Sequence, residues 1–175
     1  MVVLLLARAF VAEPFRIDSA SMQPTLEAGN HVLVDKRAYG DDDLPRRGEL
    51  VVFNAPRTGD VNLKRAIGLP GDTVAIEDGV LVVNGRAQTE PYADPDAIDS
   101  VYFGPERVPA GSVFVLGDNR ADSTDSRDFG PVKRDELIGR ARLRVWPPSK
   151  WGNPGKRMRD PATKGGSSTL SVLSP

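Results

Sequence analysis

Short apolar runs alternate with clusters of Gly, Pro, Asn and Asp along most of the chain, and few of those runs are long enough for a helix. Residues 31–36, 49–53, 61–67 and 112–116 are brief, rich in β-branched side chains and bounded by turn formers, the pattern of short strands. Leu81-Val82-Val83, Asn84-Gly85 and Arg86-Ala87 predict a hairpin, because Asn-Gly tolerates the positive φ of a type I′ turn. In residues 140–146 three arginines alternate with apolar residues, which predicts a strand with its basic set on one exposed face. Residues 133–137 fit one short helical turn. From Phe15 to Trp146 the chain therefore reads as mainly β.

Two stretches interrupt this pattern. Residues 86–111 carry Pro91, Pro95, Pro105 and Pro109 among acidic residues, which predicts a loop-rich insert. Residues 151–175 are rich in Gly, Pro, Ser and Thr and read as a disordered tail. Residues 1–12 are apolar except for Arg8. As a helix they span about 18 Å, short of the roughly 30 Å hydrocarbon core of a bilayer. Glu13-Pro14 follows where a removable leader would carry a small-residue cleavage site. That leaves a buried N-terminal segment or the C-terminal half of a membrane anchor.

Composition narrows the chemistry. The 23 basic and 24 acidic residues nearly cancel, so no global field points to nucleic acid. There is no cysteine, which excludes thiol nucleophiles, thiolate metal sites and disulfides, and one histidine, His31, excludes a multi-histidine metal centre. His31 opens an alternating strand and is expected to be structural and dispensable.

Three segments are candidates for chemistry. Ser19-Ala20-Ser21-Met22-Gln23-Pro24-Thr25-Leu26 offers a serine nucleophile, which needs an adjacent base, although such turns are also ordinary caps. Lys64 lies inside an apolar run, sharing one strand face with Asn62 and Ala66 while Leu63, Arg65 and Ile67 share the other. Burial disfavours its ammonium form and makes it a possible general base; the plainer reading is a strand lysine reaching for solvent. Residues 117–128 form a polar run after an apolar strand. A calcium loop fails there, since Arg120 and Ser123 stand where Asp or Asn and then Gly are needed. Gly68-Leu69-Pro70-Gly71-Asp72 lacks the continuation of a phosphate loop and reads as a turn. Asp41-Asp42-Asp43 reads as a solvated acidic loop.

Four boxes in order carry more than any one of them. Ser21 through Leu26, Gly48 through Phe53, Lys64 through Asp72, and Gly117 through Arg127 resemble the type I signal peptidases, over about Phe15 to Pro147. The resemblance implies an antiparallel β catalytic core over 14–75 and 112–148 with a small loop-rich β cap inserted at 76–111, flanked by a partial anchor or interfacial segment over 1–13 and a tail over 149–175. It implies a Ser/Lys dyad, with Ser21 as nucleophile and Lys64 as general base. Ser19 and the Ser21 backbone would form the oxyanion hole, and Ser123 would orient the lysine. Arg65 with Asp118, and Asp125 with Arg127, would be structural polar clamps.

The substrate it implies is a preprotein signal peptide cut after a small-x-small motif such as Ala-x-Ala. Phe15, Ile17, Met22, Leu26, Val32 and Leu63 are available to line shallow pockets for it. The resemblance further implies a monomer at the cell membrane with its catalytic domain on the extracytoplasmic side, in contact with lipid, and no cofactor, metal or nucleic acid. Asp18 departs from the family's usual proline and Asn62 from its frequent aromatic, which bears on subsite preference. Two alternatives compete. Self-cleaving Ser/Lys repressors need a DNA-binding domain, and only residues 1–20 precede Ser21. A catalytically silent membrane-associated β module would have no need of Ser19, Ser21, Lys64 and Ser123 together.

Overall fold

The computed structural model describes residues 12–40, 43–93 and 102–154. The apolar run over 1–11, Asp41 and Asp42, the middle of the insert around Pro95 and the tail from residue 155 lie outside the described residues. Among the described residues, eleven strands form two sheets: β1 (Ala12–Arg16), β2 (His31–Asp35), β3 (Leu50–Asn54), β4 (Val61–Gly68), β5 (Thr73–Glu77), β6 (Val80–Val83), β7 (Arg86–Ala87), β8 (Phe103–Arg107), β9 (Ser112–Leu116), β10 (Val132–Lys133) and β11 (Leu137–Trp146). Their pairings are antiparallel. The larger sheet runs β1-β2-β11-β3-β4-β9-β10 and the smaller β7-β6-β5-β8. The protein is thus mainly β and antiparallel, as the short alternating runs predict.

β3, β4 and β9 are buried almost throughout, so their apolar residues fill both faces. One side packs Ile17, Met22, Leu26, Val32, Val52 and Leu63. The other packs Val51, Phe53, Ala66, Val113, Val115 and Val132. A third cluster joins Ile67, Leu116 and Phe114 to Val74, Leu81, Val83 and Tyr92, and so ties the smaller sheet to the larger.

The second sheet starts at Thr73, ahead of residue 76, because a tight turn over residues 69–72 joins β4 directly to β5. In that turn the Asp72 N–H donates to the Leu69 carbonyl at 2.9 Å and Gly71 has a φ of +85°. The predicted hairpin forms, with Asn84 at φ +53° and Gly85 at +71°, both in the left-handed region that a type I′ turn needs. The helical turn expected near 133–137 is a 3-10 turn over Arg134–Glu136.

β11 does not present its arginines on one exposed face. Its register against β2 shifts between Ala141 and Leu143 and again between Arg144 and Trp146. Each extra residue inverts the alternation that follows it. Arg142 stays exposed beside Asp35, while Arg140 turns to Glu49 at 2.7 Å. Arg144 donates to the Thr25 carbonyl at 3.0 Å and the Lys150 carbonyl at 2.6 Å.

Candidate active site

Between β1 and β2 the chain leaves the sheet at Ile17 and returns at Asn30. The Ile17 N–H donates to the Asn30 carbonyl at 2.9 Å and the Gly29 N–H to the Ile17 carbonyl at 2.7 Å, which pinches the base of this loop. Within it, successive turns are closed by Gln23 N–H to Ala20 O at 3.0 Å and Leu26 N–H to Met22 O at 2.8 Å. Met22 and Leu26 are buried and anchor the turns to the core, so Ser21 is held rigidly at their start.

β9 pairs with β4 only from Arg65 onward, where Arg65 lies opposite Leu116. The first residues of β4 have β3 on one side and a groove of about 150 Å³ on the other. Val61, Asn62, Leu63 and Lys64 form one wall; Phe15, Arg16, Ile17, Asp18, Ser19, Ser21 and Met22 form the rest. Four of the six predicted pocket residues, Phe15, Ile17, Met22 and Leu63, line this groove. Leu26 and Val32 do not. Both are fully buried in the cluster beneath it, where they support the lining side chains. Asp18 and Asn62 stand at the groove, and Asp18 is paired with Arg16 at 3.3 Å.

Lys64 and Ser21 meet on this groove. Lys64 Nζ donates to Ser21 Oγ at 2.7 Å, and the lysine is only 3% exposed. Burial pushes its pKa below the ordinary 10.5, outweighing the opposite pull of Asp125, Asp118 and Asp122, while Arg127 adds a smaller push downward. Ser19 Oγ lies 3.1 Å from Ser21 Oγ. A hydroxyl with an adjacent desolvated amine has the parts of an activated nucleophile, and a second hydroxyl stands beside it.

Ser123 is placed differently from its expected role. Its hydroxyl donates to Asp125 Oδ2 at 2.8 Å, because that carboxylate gathers the whole loop around itself. The same oxygen accepts the Gly117 N–H at 3.0 Å and Arg127 Nη2 at 2.9 Å, while Oδ1 takes Arg127 Nε at 2.9 Å. A short helix α1 (Ser126–Phe129) starts on Asp125 as its N-cap. Ser123 still packs against the site. A Cβ added at Gly117 would lie 2.2 Å from Ser123 Oγ and 2.6 Å from the Ser21 carbonyl oxygen. The absence of a side chain at Gly117 is what lets the two loops touch.

The Arg65–Asp118 pair forms as expected in geometry, fully buried, with Nε to Oδ1 at 2.7 Å and Nη2 to Oδ2 at 2.5 Å. Two of its partners escape the sequence reading. Thr25 Oγ1 donates to Asp118 Oδ2 at 2.5 Å, tying the serine loop to the ion pair, and Tyr92 of the insert lies under the Arg65 guanidinium at 3.8 Å. Asn119 was missed too. Its N–H donates to the Ser21 carbonyl at 3.1 Å and its side-chain amide to the Ala20 carbonyl at 3.3 Å. Its place beside Asp118 in the polar run was the available signal.

His31, at the start of β2, faces Arg16 and Trp146 in register and does not line the groove. Among the described residues, no group of three or more His, Asp or Glu is placed to hold a metal ion. Nor is any helix among them long and apolar enough to cross a membrane.

Comparison with known proteins follows the same residues. The family model for signal peptidase, peptidase S26, matches residues 1–146. Signal peptidase I of Leptolyngbya laminosa is 42% identical over 158 residues, covering 85% of this chain and 75% of that one. Signal peptidase I of Bacillus caldolyticus is 41% identical over 152 residues, covering 80% and 82%. Probable signal peptidase I-2 of Synechocystis is 44% identical over 152 residues, covering 83% and 68%. A solved signal peptidase I from Enterococcus faecalis V583 is 34% identical and covers 56% of this chain and 97% of that one, with a TM-score of 0.46. The match takes in the serine loop, the lysine strand and the polar loop that clamps them: the chain belongs to the peptidase S26 family of signal peptidases, the serine proteases that remove signal peptides.

Proposed function

We propose that the chain cleaves preproteins after a small-x-small motif by a Ser21/Lys64 dyad, through an acyl-enzyme, at a membrane surface. The observation that carries this reading is the 2.7 Å contact between Ser21 Oγ and a buried lysine whose burial favours the neutral amine. As Ser21 Oγ bonds to the scissile carbonyl carbon, its proton passes to Lys64 Nζ. The carbonyl oxygen takes the negative charge and receives hydrogen bonds from Ser19 Oγ and the Ser21 N–H, a kind of contact worth about 3–4 kcal/mol per donor. Lys64 then gives its proton to the leaving amine as the C–N bond breaks. A water, deprotonated by the same neutral lysine, attacks the ester and releases the signal peptide's new carboxylate, restoring the Ser21 hydroxyl.

The lining supports small side chains. Ile17, Met22 and Leu63 offer shallow apolar contact, and the groove's modest volume has little space for anything bulky. Asp18 and Asn62 place polar groups on the same walls, so the subsites are expected to tolerate a polar or basic residue beside the small ones. The apolar run over residues 2–11 supports a membrane-bound setting with the sheets on the extracytoplasmic side, where an exported preprotein exposes its cleavage point.

The experiment is cleavage of a preprotein whose signal ends in Ala-x-Ala, in detergent or lipid, by the wild type and by Ser21→Ala, Lys64→Ala and His31→Ala. The wild type and His31→Ala are expected to cut at that site, within about twofold of each other, and the other two to lose about 10³-fold or more. A folded but inert wild type would favour the catalytically silent membrane-associated β module. With Lys64 as base, kcat/KM rises with pH through the depressed lysine pKa, since only the neutral amine accepts the serine proton. A rate flat from about pH 6 to 9 would count against lysine.

A further inference from the structure

Glu90 lies in the connection that leaves the smaller sheet after β7, and its carboxylate reaches back to the polar loop of the larger one. Arg120 Nη1 donates to Glu90 Oε2 at 3.0 Å, and Nη2 donates to Oε1. Tyr92 Oη donates to Oε1 at 2.9 Å, and the Tyr92 ring carries the Arg65 guanidinium on its face. The two charged side chains are 9% and 13% exposed, so this is a two-pronged pair largely shielded from water, unlike an exposed surface bridge.

The other end of Arg120 is tied to the site. Its Nε donates to the Gly117 carbonyl at 2.9 Å, and its own carbonyl accepts Arg127 Nη2 at 2.9 Å. Asn119, between those two anchored residues, holds the carbonyls of Ala20 and Ser21. Gly117 packs so closely on the Ser21 carbonyl that movement of this segment passes directly to the serine backbone.

We infer that Glu90 is a positioning residue for Ser21, acting from the inserted sheet through Arg120 and Asn119. This rests on the reading of Ser21 as nucleophile. The insert then does more than cover the core: it fixes the orientation of the serine, whose reaction demands sub-ångström placement. The charges that act most on Lys64 are those of Asp125, Asp118, Asp122 and Arg127, and Glu90 is not one of them, so its effect is expected to be geometric.

The test measures kcat and KM separately across pH for Glu90→Gln, Glu90→Asp, Asn119→Ala and the Glu90→Gln/Asn119→Ala double variant, with Ser21→Ala alongside and folding followed by circular dichroism. Glu90→Gln is expected to lower kcat about tenfold with KM within about twofold and an unmoved pH midpoint, and Glu90→Asp to recover part of the loss. The double variant should lose no more than the worse single one, because both interrupt the same chain of contacts. An unchanged kcat in folded Glu90→Gln, a loss confined to KM, or fully additive losses would overturn the inference. Should Glu90→Gln not fold, Tyr92→Phe removes one hydrogen bond to the carboxylate and keeps the ring; a fall in kcat of about two- to fivefold is expected, and none would overturn it. Activity retained by Ser21→Ala would instead overturn the nucleophile assignment beneath it.

Discussion

Lys64 and Arg65 are neighbours on one strand, both cationic by type and both buried, yet the protein treats them in opposite ways. Arg65 is surrounded: Asp118 takes two of its N–H groups, the Gly48 carbonyl takes another at 2.9 Å, Thr25 stands at 3.3 Å and Tyr92 lies beneath. Lys64 has Ser21 Oγ, and no ion pair among the described residues includes it. An arginine cannot shed its proton, so a buried one must be given counter-charge and acceptors. A lysine can shed its proton, and denying it partners shifts its balance toward the neutral form. The strand's alternation sends the two side chains to different faces, which is how one short segment holds a permanent charge beside an amine whose charged form is disfavoured.

The contrast can be broken most severely from the arginine side. Asp118→Ala leaves a guanidinium buried without its counter-charge and frees Thr25, and chemical denaturation should show a loss of about 3–5 kcal/mol. Smaller is the effect of Gly117→Ala, whose Cβ would lie 2.2 Å from Ser123 Oγ. Overpacking of this kind costs about 1–3 kcal/mol, and because the same Cβ presses on the Ser21 carbonyl, kcat should fall by more than the melting temperature alone would suggest. The smallest effect sharpens the comparison with a change of sign.

Because the folded-state pKa of Lys64 lies below its ordinary 10.5, the unfolded chain binds more protons at any pH between the two values. Stability therefore falls as pH drops from 10.5 through the folded-state pKa, and the full penalty is present below it. Lys64→Met removes that penalty. It should gain about 1 kcal/mol in denaturant titrations at acidic to neutral pH, about 2–4 °C in melting temperature, while abolishing cleavage. The same substitution at Arg65 should destabilise, since it strands Asp118.

Local signals carried the strands and the Asn84-Gly85 turn because each depends on residues adjacent in sequence. Ser21 and Lys64 stood out only as members of ordered boxes, since nothing local says that a lysine strand and a serine turn meet. Leu26 and Val32 show where pattern stops: alternation says that a side chain points inward, but whether it meets a groove or lies a layer below depends on the tertiary stack. Ser123 illustrates the pull of a local acceptor: its hydroxyl donates to Asp125, two residues on, at 2.8 Å. Glu90, far from residues 117–127 in sequence, looked like one more acid in an acidic insert until the smaller sheet folded back against the loop. In β11 two register shifts, invisible in composition, redistributed the arginines.

The position of β11 has a consequence for how the enzyme comes into being. β1 and β2 carry the serine loop, and β3, β4 and β9 carry the lysine; in the sheet the two groups are joined through β11, which lies between β2 and β3. During synthesis Ser21 and Lys64 leave the ribosome well before the strand that joins one group to the other in the sheet. A nascent chain that has reached residue 130 holds Ser21, Lys64 and the polar loop but lacks the strand that joins β2 to β3, so the larger sheet is completed last.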